Sequence, residues 1–185
     1  MYAKQIDERL DRAPQVTAVL VYSTVEQDLA RAMSAAQQAA PRAAVFGATS
    51  FQGVFTADGF RRGAFGLFIE SSDNIALEHR LVPTSAAGSA GMVRSAAAEL
   101  MQGGQPAALL VHATPGFEEQ VLTGLAQAGL SDVPTYGGSA ADDDLSGNWR
   151  VFADGRVCDS GVLLIAVRTS KQLYGSFVSG YFSTK

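Results

Sequence analysis

An internal repeat is the sequence feature that most restricts what this chain can fold into. Three segments recur in the same order, at offsets of 90, 90 and 98 residues: 17–24 with 107–114, 45–49 with 135–139, and 63–69 with 161–167. A period near 90 is too long for a solenoid, whose repeats run roughly 20 to 50 residues. The repeat therefore predicts a duplication that yields two similar lobes packed together.

Composition places the chain among folded globular domains and excludes several functions. Of its 185 residues, 47 % are hydrophobic and 17 % are charged, whereas disordered chains combine low hydrophobicity with high charge. The formal net charge of −4 gives no electrostatic footprint for binding nucleic acid. We therefore expect neither disorder nor a nucleic-acid partner.

The longest apolar run and the first residues indicate where the protein resides. The run at 162–167 is far shorter than the roughly 20 residues of a membrane span. Residues 1–12 are polar and lack the apolar core of a signal peptide. A lone Cys158 cannot form an internal disulfide, which fits a reducing compartment. The prediction is a cytoplasmic location without a membrane partner.

Each lobe has the pattern of a strand, a helix and further strands. The run at 16–22 is apolar and β-branched, and Thr24 stands at capping-box spacing before Gln27, with Thr114 at the equivalent place in lobe two. A third helix, at about 86–101, is predicted to cross between the lobes. Because strands outnumber helices, the predicted fold class is α/β, with a mixed, strand-rich sheet.

We predict one domain with three parts. Lobe one covers about 15–82, the crossover helix about 85–102, and lobe two about 106–185.

Two glycine-rich segments at equivalent positions are the first candidate site. We interpret them as turns after short strands, whose hydroxyls and backbone amides could face one crevice. The alternative is that the glycines serve turns that need positive φ. The candidate ligand-binding residues here are Thr49, Ser50, Gly137, Gly138 and Ser139.

The acidic segment 142–148 is the second candidate. It resembles the opening of a calcium loop, but Ala153 stands where such a loop has its bidentate glutamate, which disfavours calcium. It is either an exposed loop before a hairpin turn at 154–155 or a source of carboxylates for an amine or hydroxyl in the crevice. In the second interpretation Asp142 and Asp143 bind the ligand and Trp149 forms an apolar wall.

The two histidines are candidates of different kinds. His112 ends the first strand of lobe two, a position suited to a ligand contact, while His79 is expected at the interior or at a lobe interface. The sequence contains no compact cluster of His, Cys and Asp residues, so structural zinc is disfavoured. No catalytic motif is present, although a hydrolase or transferase that uses Ser139 with His112 remains an alternative.

Several of these segments resemble the amino-terminal FIST domain. The resemblance is carried by four stretches of sequence: 44–50, 133–143, 149–155 and 161–167. It implies a sensory input module that binds small ligands such as amino acids. It also implies two partners, a carboxy-terminal FIST half and a downstream signalling domain or protein, so that this chain is expected to be half of a longer sensory unit.

The resemblance also raises haem as an alternative. Some FIST proteins sense nitric oxide through haem held by a histidine, and many carry a His-Gly-Trp-like motif where this chain reads Ser179-Gly180-Tyr181. We therefore predict no cofactor and no metal. In the haem alternative, His79 and His112 are the possible axial ligands.

The leading prediction is a domain that binds an amino acid or a similar metabolite and catalyses nothing. Helix N-termini behind Thr24 and Thr114 are expected to attract a carboxylate, while Asp142 and Asp143 meet a positive group on the same molecule.

Overall fold

The computed structural model describes residues 16–70, 75–84 and 89–176. The predicted start of the crossover helix and the Ser179–Tyr181 segment lie outside these residues. The described strands are β1 (Val16–Ser23), β2 (Ala44–Thr49), β3 (Val54–Thr56), β4 (Gly59–Arg61), β5 (Ala64–Glu70), β6 (Ile75–Pro83), β7 (Ala108–Ala113), β8 (Thr135–Ser139), β9 (Val151–Ala153), β10 (Arg156–Cys158) and β11 (Gly161–Thr169). The described helices are α1 (Leu29–Ala39), α2 (Ser89–Met101) and α3 (Glu118–Gln127). None of these helices is long and apolar enough to cross a membrane.

The strands form two larger sheets and one small hairpin. The first sheet has the order β10-β9-β2-β1-β5, the second has the order β6-β11-β7-β8, and β3 pairs with β4. In the first sheet β1 runs parallel to β2 and antiparallel to β5. In the second sheet β7 runs parallel to β8 and antiparallel to β11. The predicted class, a mixed and strand-rich α/β fold, is confirmed.

Three apolar clusters show how the layers pack. One lies between α1 and the first sheet and contains Met33 and Phe152. Another joins α2 and α3 to the second sheet, with Val93 and Val121 among its members. The third contains side chains of both sheets, so the two sheets pack face to face. The result is a helix–sheet–sheet–helix arrangement, in which every central strand is buried on both faces.

The repeated segments pair in the same register. Tyr22 of β1 lies opposite Ala48, and His112 of β7, 90 residues later, lies opposite Gly138. Tyr22 also pairs with Phe65, as His112 pairs with Leu163. The duplication behind this likeness stays a prediction.

Each sheet contains strands from both predicted lobes. Strand β6, from the first segment of the chain, pairs with β11 of the second sheet. Strand β9, from the second segment, pairs with β2 of the first sheet. The two segments therefore interlock, and the sheets do not follow the order of the chain.

The prediction that Thr24 and Thr114 cap helices is wrong. The N-cap of α1 is Asp28, whose Oδ1 accepts a hydrogen bond from the backbone of Arg31 at 3.0 Å. The amide of Thr24 donates instead to the carbonyl of Gly63 at 3.0 Å. Thr114 donates likewise to Gly161 at 2.9 Å. Both helices begin about one turn later in the sequence than predicted. The two threonines instead join neighbouring antiparallel strands at their ends.

The prediction of glycine-rich turns at Gly47 and Gly137 is also wrong, since both glycines lie inside strands. A Cβ at Gly47 would stand 1.7 Å from the carbonyl oxygen of Val21. A Cβ at Gly137 would stand 1.8 Å from the carbonyl oxygen of Val111, and this glycine has a φ of +144°. Close approach of the neighbouring strand requires a glycine at each position.

Replacement of Gly47 tests this requirement. We expect Gly47→Ala to lower the free energy of unfolding by about 2–3 kcal/mol, since the added methyl group must displace strand backbone. Gly138→Ala is the matched control, because a Cβ there meets nothing within 4 Å. Urea denaturation of both variants measures the difference, and equal losses would contradict the explanation.

Candidate functional site

A tyrosine and a histidine meet between the two sheets at equivalent positions of the repeat. Tyr22 lies on β1 and His112 on β7, and the Tyr22 Oη lies 3.1 Å from the His112 Nε2. The two rings pack edge to face with their centroids 5.4 Å apart. His112 is 7 % exposed, and its hydrogen bond with Tyr22 is partly buried. The pair links the two sheets through polar groups inside an otherwise apolar layer.

Burial keeps both members of this pair uncharged near neutral pH. Desolvation lowers the pKa of His112, and a hydrogen bond with the backbone of Gly138 opposes part of that shift. Desolvation also raises the pKa of Tyr22. A neutral imidazole and a neutral phenol can share one hydrogen bond without a buried charge.

A cavity of about 660 Å³ lies beside Tyr22, against the β3–β4 hairpin. Its volume falls within the range of roughly 300–1,000 Å³ that small-molecule sites occupy. Aromatic rings form much of its wall, and a few polar groups stand among them. The lining residues are Tyr22, Ser50, Phe51, Gln52, Gly53, Val54, Phe55 and Phe60. We call this space the hairpin cavity.

Asp143 of the acidic segment 142–148 contacts residues on either side of the β3–β4 hairpin. Asp143 Oδ2 lies 2.6 Å from the Nη2 of Arg62, and its Oδ1 accepts the amide of Gln52 at 2.6 Å. Arg62 also contacts Glu26 at 3.3 Å. Because Gln52 lines the hairpin cavity, one positive and one negative group stand close to it.

Asp142 stabilises its own loop. Its carboxylate accepts backbone amides of Leu145 at 2.9 Å, Gly147 at 2.7 Å and Asn148 at 2.9 Å. Desolvation raises the pKa of Asp142, but these hydrogen bonds outweigh it and the pKa lies below its usual value. Its hydrogen-bonding capacity is thus used largely within the chain. Across residues 16–70, 75–84 and 89–176, no group of three acids, histidines or cysteines could hold a metal ion.

Thr49 and Trp149 also have structural contacts. The amide of Thr49 donates to the carbonyl of Arg150 at 2.9 Å, and its Oγ1 accepts the Arg150 amide at 2.9 Å. Trp149 is half-buried against the apolar layer between the sheets. Both residues secure the start of β9 to the first sheet.

A second, smaller space of about 210 Å³ lies between β8 and α3. Gly137, Gly138 and Ser139 line it on one side, with Val121 and Leu122 on the other. We call it the β8 groove. It opens beside a strand whose five residues are all exposed.

Ser139 pairs with a glutamate of α3. Its Oγ donates to Glu118 Oε1 at 2.5 Å, and this hydrogen bond is the largest cause that lowers the pKa of Glu118. Ser139 faces α3, whereas His112 faces the opposite sheet, so the Ser139–His112 pair of the hydrolase alternative does not form. Glu118 is also the first residue of α3, and its carboxylate accepts the amide of Gly116 at 2.9 Å. The protein's own carboxylate therefore lies at the helix N-terminus where the carboxylate of a ligand was expected.

The structure brings three predicted site residues close to the hairpin cavity. Ser50 lines the cavity, Asp143 accepts the amide of the lining residue Gln52, and His112 forms a hydrogen bond with the lining residue Tyr22. Sequence reasoning missed the aromatic wall. The signal was available, since three phenylalanines fall within residues 51–60, a segment that lies outside the three repeated sequence segments. Their role became visible once the hairpin was placed beside β1.

An α/β domain with a cavity beside its first sheet is the class of protein that the fold defines. Comparison with known families places it further. The family model of the FIST N domain matches residues 17–184, and the chain belongs to this family of sensory domains. The resemblance found in the sequence is confirmed. A search of curated proteins gave no match.

The buried histidine predicts how stability depends on pH. Because the pKa of His112 is lower in the folded state, the unfolded chain binds the extra proton first as the pH falls below about 6.5. Stability therefore decreases between pH 7.5 and 5.5, and the decrease is smaller in His112→Gln. Urea midpoints at both values measure it. Tyr22→Phe, which keeps the histidine, should keep the dependence. An undiminished decrease in His112→Gln would contradict the assignment.

Proposed function

We propose that this chain is the ligand-binding input domain of a sensory protein and that its ligand occupies the hairpin cavity. The observation that carries the proposal is the combination of size and lining, with aromatic rings on the wall and a few polar groups beside them. The ligand we propose is an amino acid or a similar small metabolite. Its apolar part would pack against Phe51, Phe55 and Phe60.

Charges near the cavity favour a molecule that carries both signs. Asp143 and Arg62 face each other at 2.6 Å, so an ammonium group can approach the aspartate while a carboxylate approaches the arginine. The Ser50 hydroxyl donates to the carbonyl of Gly53 at 2.6 Å, so Ser50 and Tyr22 add hydroxyl oxygens that can accept from the ligand. An amino acid with an apolar side chain matches the aromatic wall, the two charged groups and the hydroxyls.

Binding without chemistry is the activity we propose. Ser139 is held by Glu118, and His112 is buried against Tyr22, so neither is poised to act on the other. Haem is disfavoured because the Nε2 atoms of both histidines have protein partners: His79 lies 2.9 Å from Asp154 Oδ2 and His112 lies 3.1 Å from Tyr22. Ligation of iron through Nε2 would require one of these contacts to break.

The partners we propose follow from the family. Ligand binding at this domain would be passed to a carboxy-terminal FIST half and then to a signalling domain or protein in the cytoplasm.

A thermal-shift screen of amino acids and small metabolites tests the proposal. A ligand at a hundred times its dissociation constant stabilises the fold by about 2.7 kcal/mol, so the Tm of the chain should rise. Amino acids with apolar side chains should give the largest increases. If no compound in the panel raises the Tm, the hairpin cavity is not a site for this class of ligand.

Substitution of Asp143 locates the site. Asp143→Asn removes a charge-assisted contact worth about 1.5–3 kcal/mol, so the dissociation constant should rise by about 10- to 150-fold in calorimetric titration. Asp144→Asn changes the charge equally, one residue away from the Arg62 contact, and should leave affinity unchanged. Equal effects of the two substitutions would place the ligand elsewhere.

A further inference from the structure

We propose that the edge of β8 that has no strand partner in the described part of the chain is the docking surface for the β3–β4 hairpin of the same chain. The hairpin would add a strand to the second sheet, as β9 and β10 extend the first. This inference is separate from the identity of any ligand. It depends on a likeness between two hairpins, on an unpaired strand edge, and on a groove that fits one exposed ring.

The two hairpins have the same construction. At an offset of 97 residues, every pair in β3–β4 has a counterpart in β9–β10: Val54↔Arg61 with Val151↔Cys158, Phe55↔Phe60 with Phe152↔Val157, and Thr56↔Gly59 with Ala153↔Arg156. Both have two-residue turns. They also occupy the same place in the chain, after the second repeated strand and before the third.

One hairpin is docked and the other is not. Strand β9 lies antiparallel along β2, with Ala48 opposite Val151, Gly47 opposite Phe152 and Phe46 opposite Ala153. The counterpart of β2 is β8, whose outer edge has no strand partner in the described part of the chain. The same register would set Gly138 opposite Val54, Gly137 opposite Phe55 and Tyr136 opposite Thr56.

The β8 groove has the position and size to receive Phe55. Phe152, its counterpart, is fully buried beside Gly47 in the cluster beneath α1. Phe55 is 87 % exposed. At the equivalent place in the second sheet, beside Gly137 and beneath α3, lies the groove of about 210 Å³. A cavity of about 150 Å³ already holds a benzene ring.

The connection before β3 is long enough for docking within one chain. Ala141 donates to the carbonyl of Thr49 at 3.1 Å, and Arg150 donates to the Oγ1 of the same threonine at 2.9 Å. The loop between them therefore leaves and returns to one residue. The β8–β9 connection is seven residues longer than the β2–β3 connection, but these residues do not lengthen the distance that it spans. The shorter connection from Phe51 to Gly53 can therefore make the same crossing between sheets.

The chain leaves both strands in the same direction. Ala140 donates to the carbonyl of Ala113 at 2.7 Å, and Ser50 donates to the carbonyl of Ser23 at 2.9 Å. From Ala140 the chain crosses to the first sheet, so the equivalent path from Ser50 leads to the second. Docking would break the contacts of Asp143 with Gln52 and Arg62 and would take Phe55 out of the hairpin cavity.

Disulfide trapping in the ligand-free chain tests the register. In a Cys158→Ala background, Thr56→Cys and Tyr136→Cys would be directly opposite each other, with Cα atoms about 4.5–5.5 Å apart and within reach of a disulfide. We expect an intramolecular disulfide under mild oxidation. Arg61→Cys with Tyr136→Cys is the control, because β4 would lie one strand farther from β8 and should not form a crosslink.

Each other outcome of this experiment overturns the proposal. Failure of the Thr56/Tyr136 pair to form a disulfide in a folded chain excludes the docked register. A crosslink equally efficient in the Arg61/Tyr136 control reports nonspecific motion and excludes it too. A disulfide that joins two chains assigns the edge to a second copy. Because no ligand is present, these results do not depend on the proposed function.

Two phenylalanine variants give a second test. Phe60 is 44 % exposed and Phe55 is 87 % exposed, so an undocked hairpin predicts the smaller decrease in Tm for Phe55→Ala. Docking reverses that order, because Phe55 enters the groove while Phe60 takes the place of Val157, which is 45 % exposed. We expect Phe55→Ala to lower the Tm more than Phe60→Ala. The opposite order, or equal decreases, would overturn the proposal.

Discussion

The apolar layer between the two sheets fixes the position of every other part of the molecule. Small side chains on the inner faces, among them Ala18, Ala48 and Ala153, let the sheets pack closely. Leu163 and Ile165 of β11 fill the space from the second sheet and are completely buried. With the inner faces joined, each sheet has one outer face left, and the helices cover these faces. The four layers follow from that requirement.

The exchange of strands makes this packing specific. Strand β9 crosses from the second segment to the edge of β2, and the loop before it is closed by Asp142 and attached at Thr49. His79 of β6 packs on Phe46 of β2 with ring centroids 5.0 Å apart. Its imidazole also lies 2.9 Å from Asp154 in the β9–β10 turn. Contacts of this kind tie the two sheets together at one end of the layer.

Local patterns in the sequence predicted those parts of the fold that local forces determine. The repeated segments contain β1 and β2 in the first half and β7 and β8 in the second, and these two pairs have equivalent registers. Residues 154–155 were correctly predicted as a hairpin turn, with φ of 48° and 78°. His79 was expected at the interior or at a lobe interface, and its ring packs on Phe46 of the other sheet. The failures involve partners distant in the chain. The role of Thr24 depends on Gly63, and the need for a glycine at position 47 depends on a carbonyl of β1. Neither partner can be identified from neighbouring residues.

The candidate site was predictable to a similar extent. The sequence placed His112 at a strand end, but its partner Tyr22 was visible only as the equivalent residue of the first repeat. A hydrogen bond between them requires β1 and β7 to face each other across the layer, which no spacing within either segment specifies. The aromatic wall depends in the same way on where the β3–β4 hairpin lies.

The arrangement of rigid and loosely held parts suits a sensor. Tyr22 belongs to a central strand, whereas the opposite wall of the hairpin cavity is a hairpin that forms its own two-stranded sheet and is attached through exposed charges. Segments with few buried apolar contacts open at low free-energy cost, so a ligand of modest affinity can change their population. The proposed ligand, between the central strand and the hairpin, would contact both at once. Its binding energy would therefore act on the element that is least costly to move, while the buried layer beneath it stays in place.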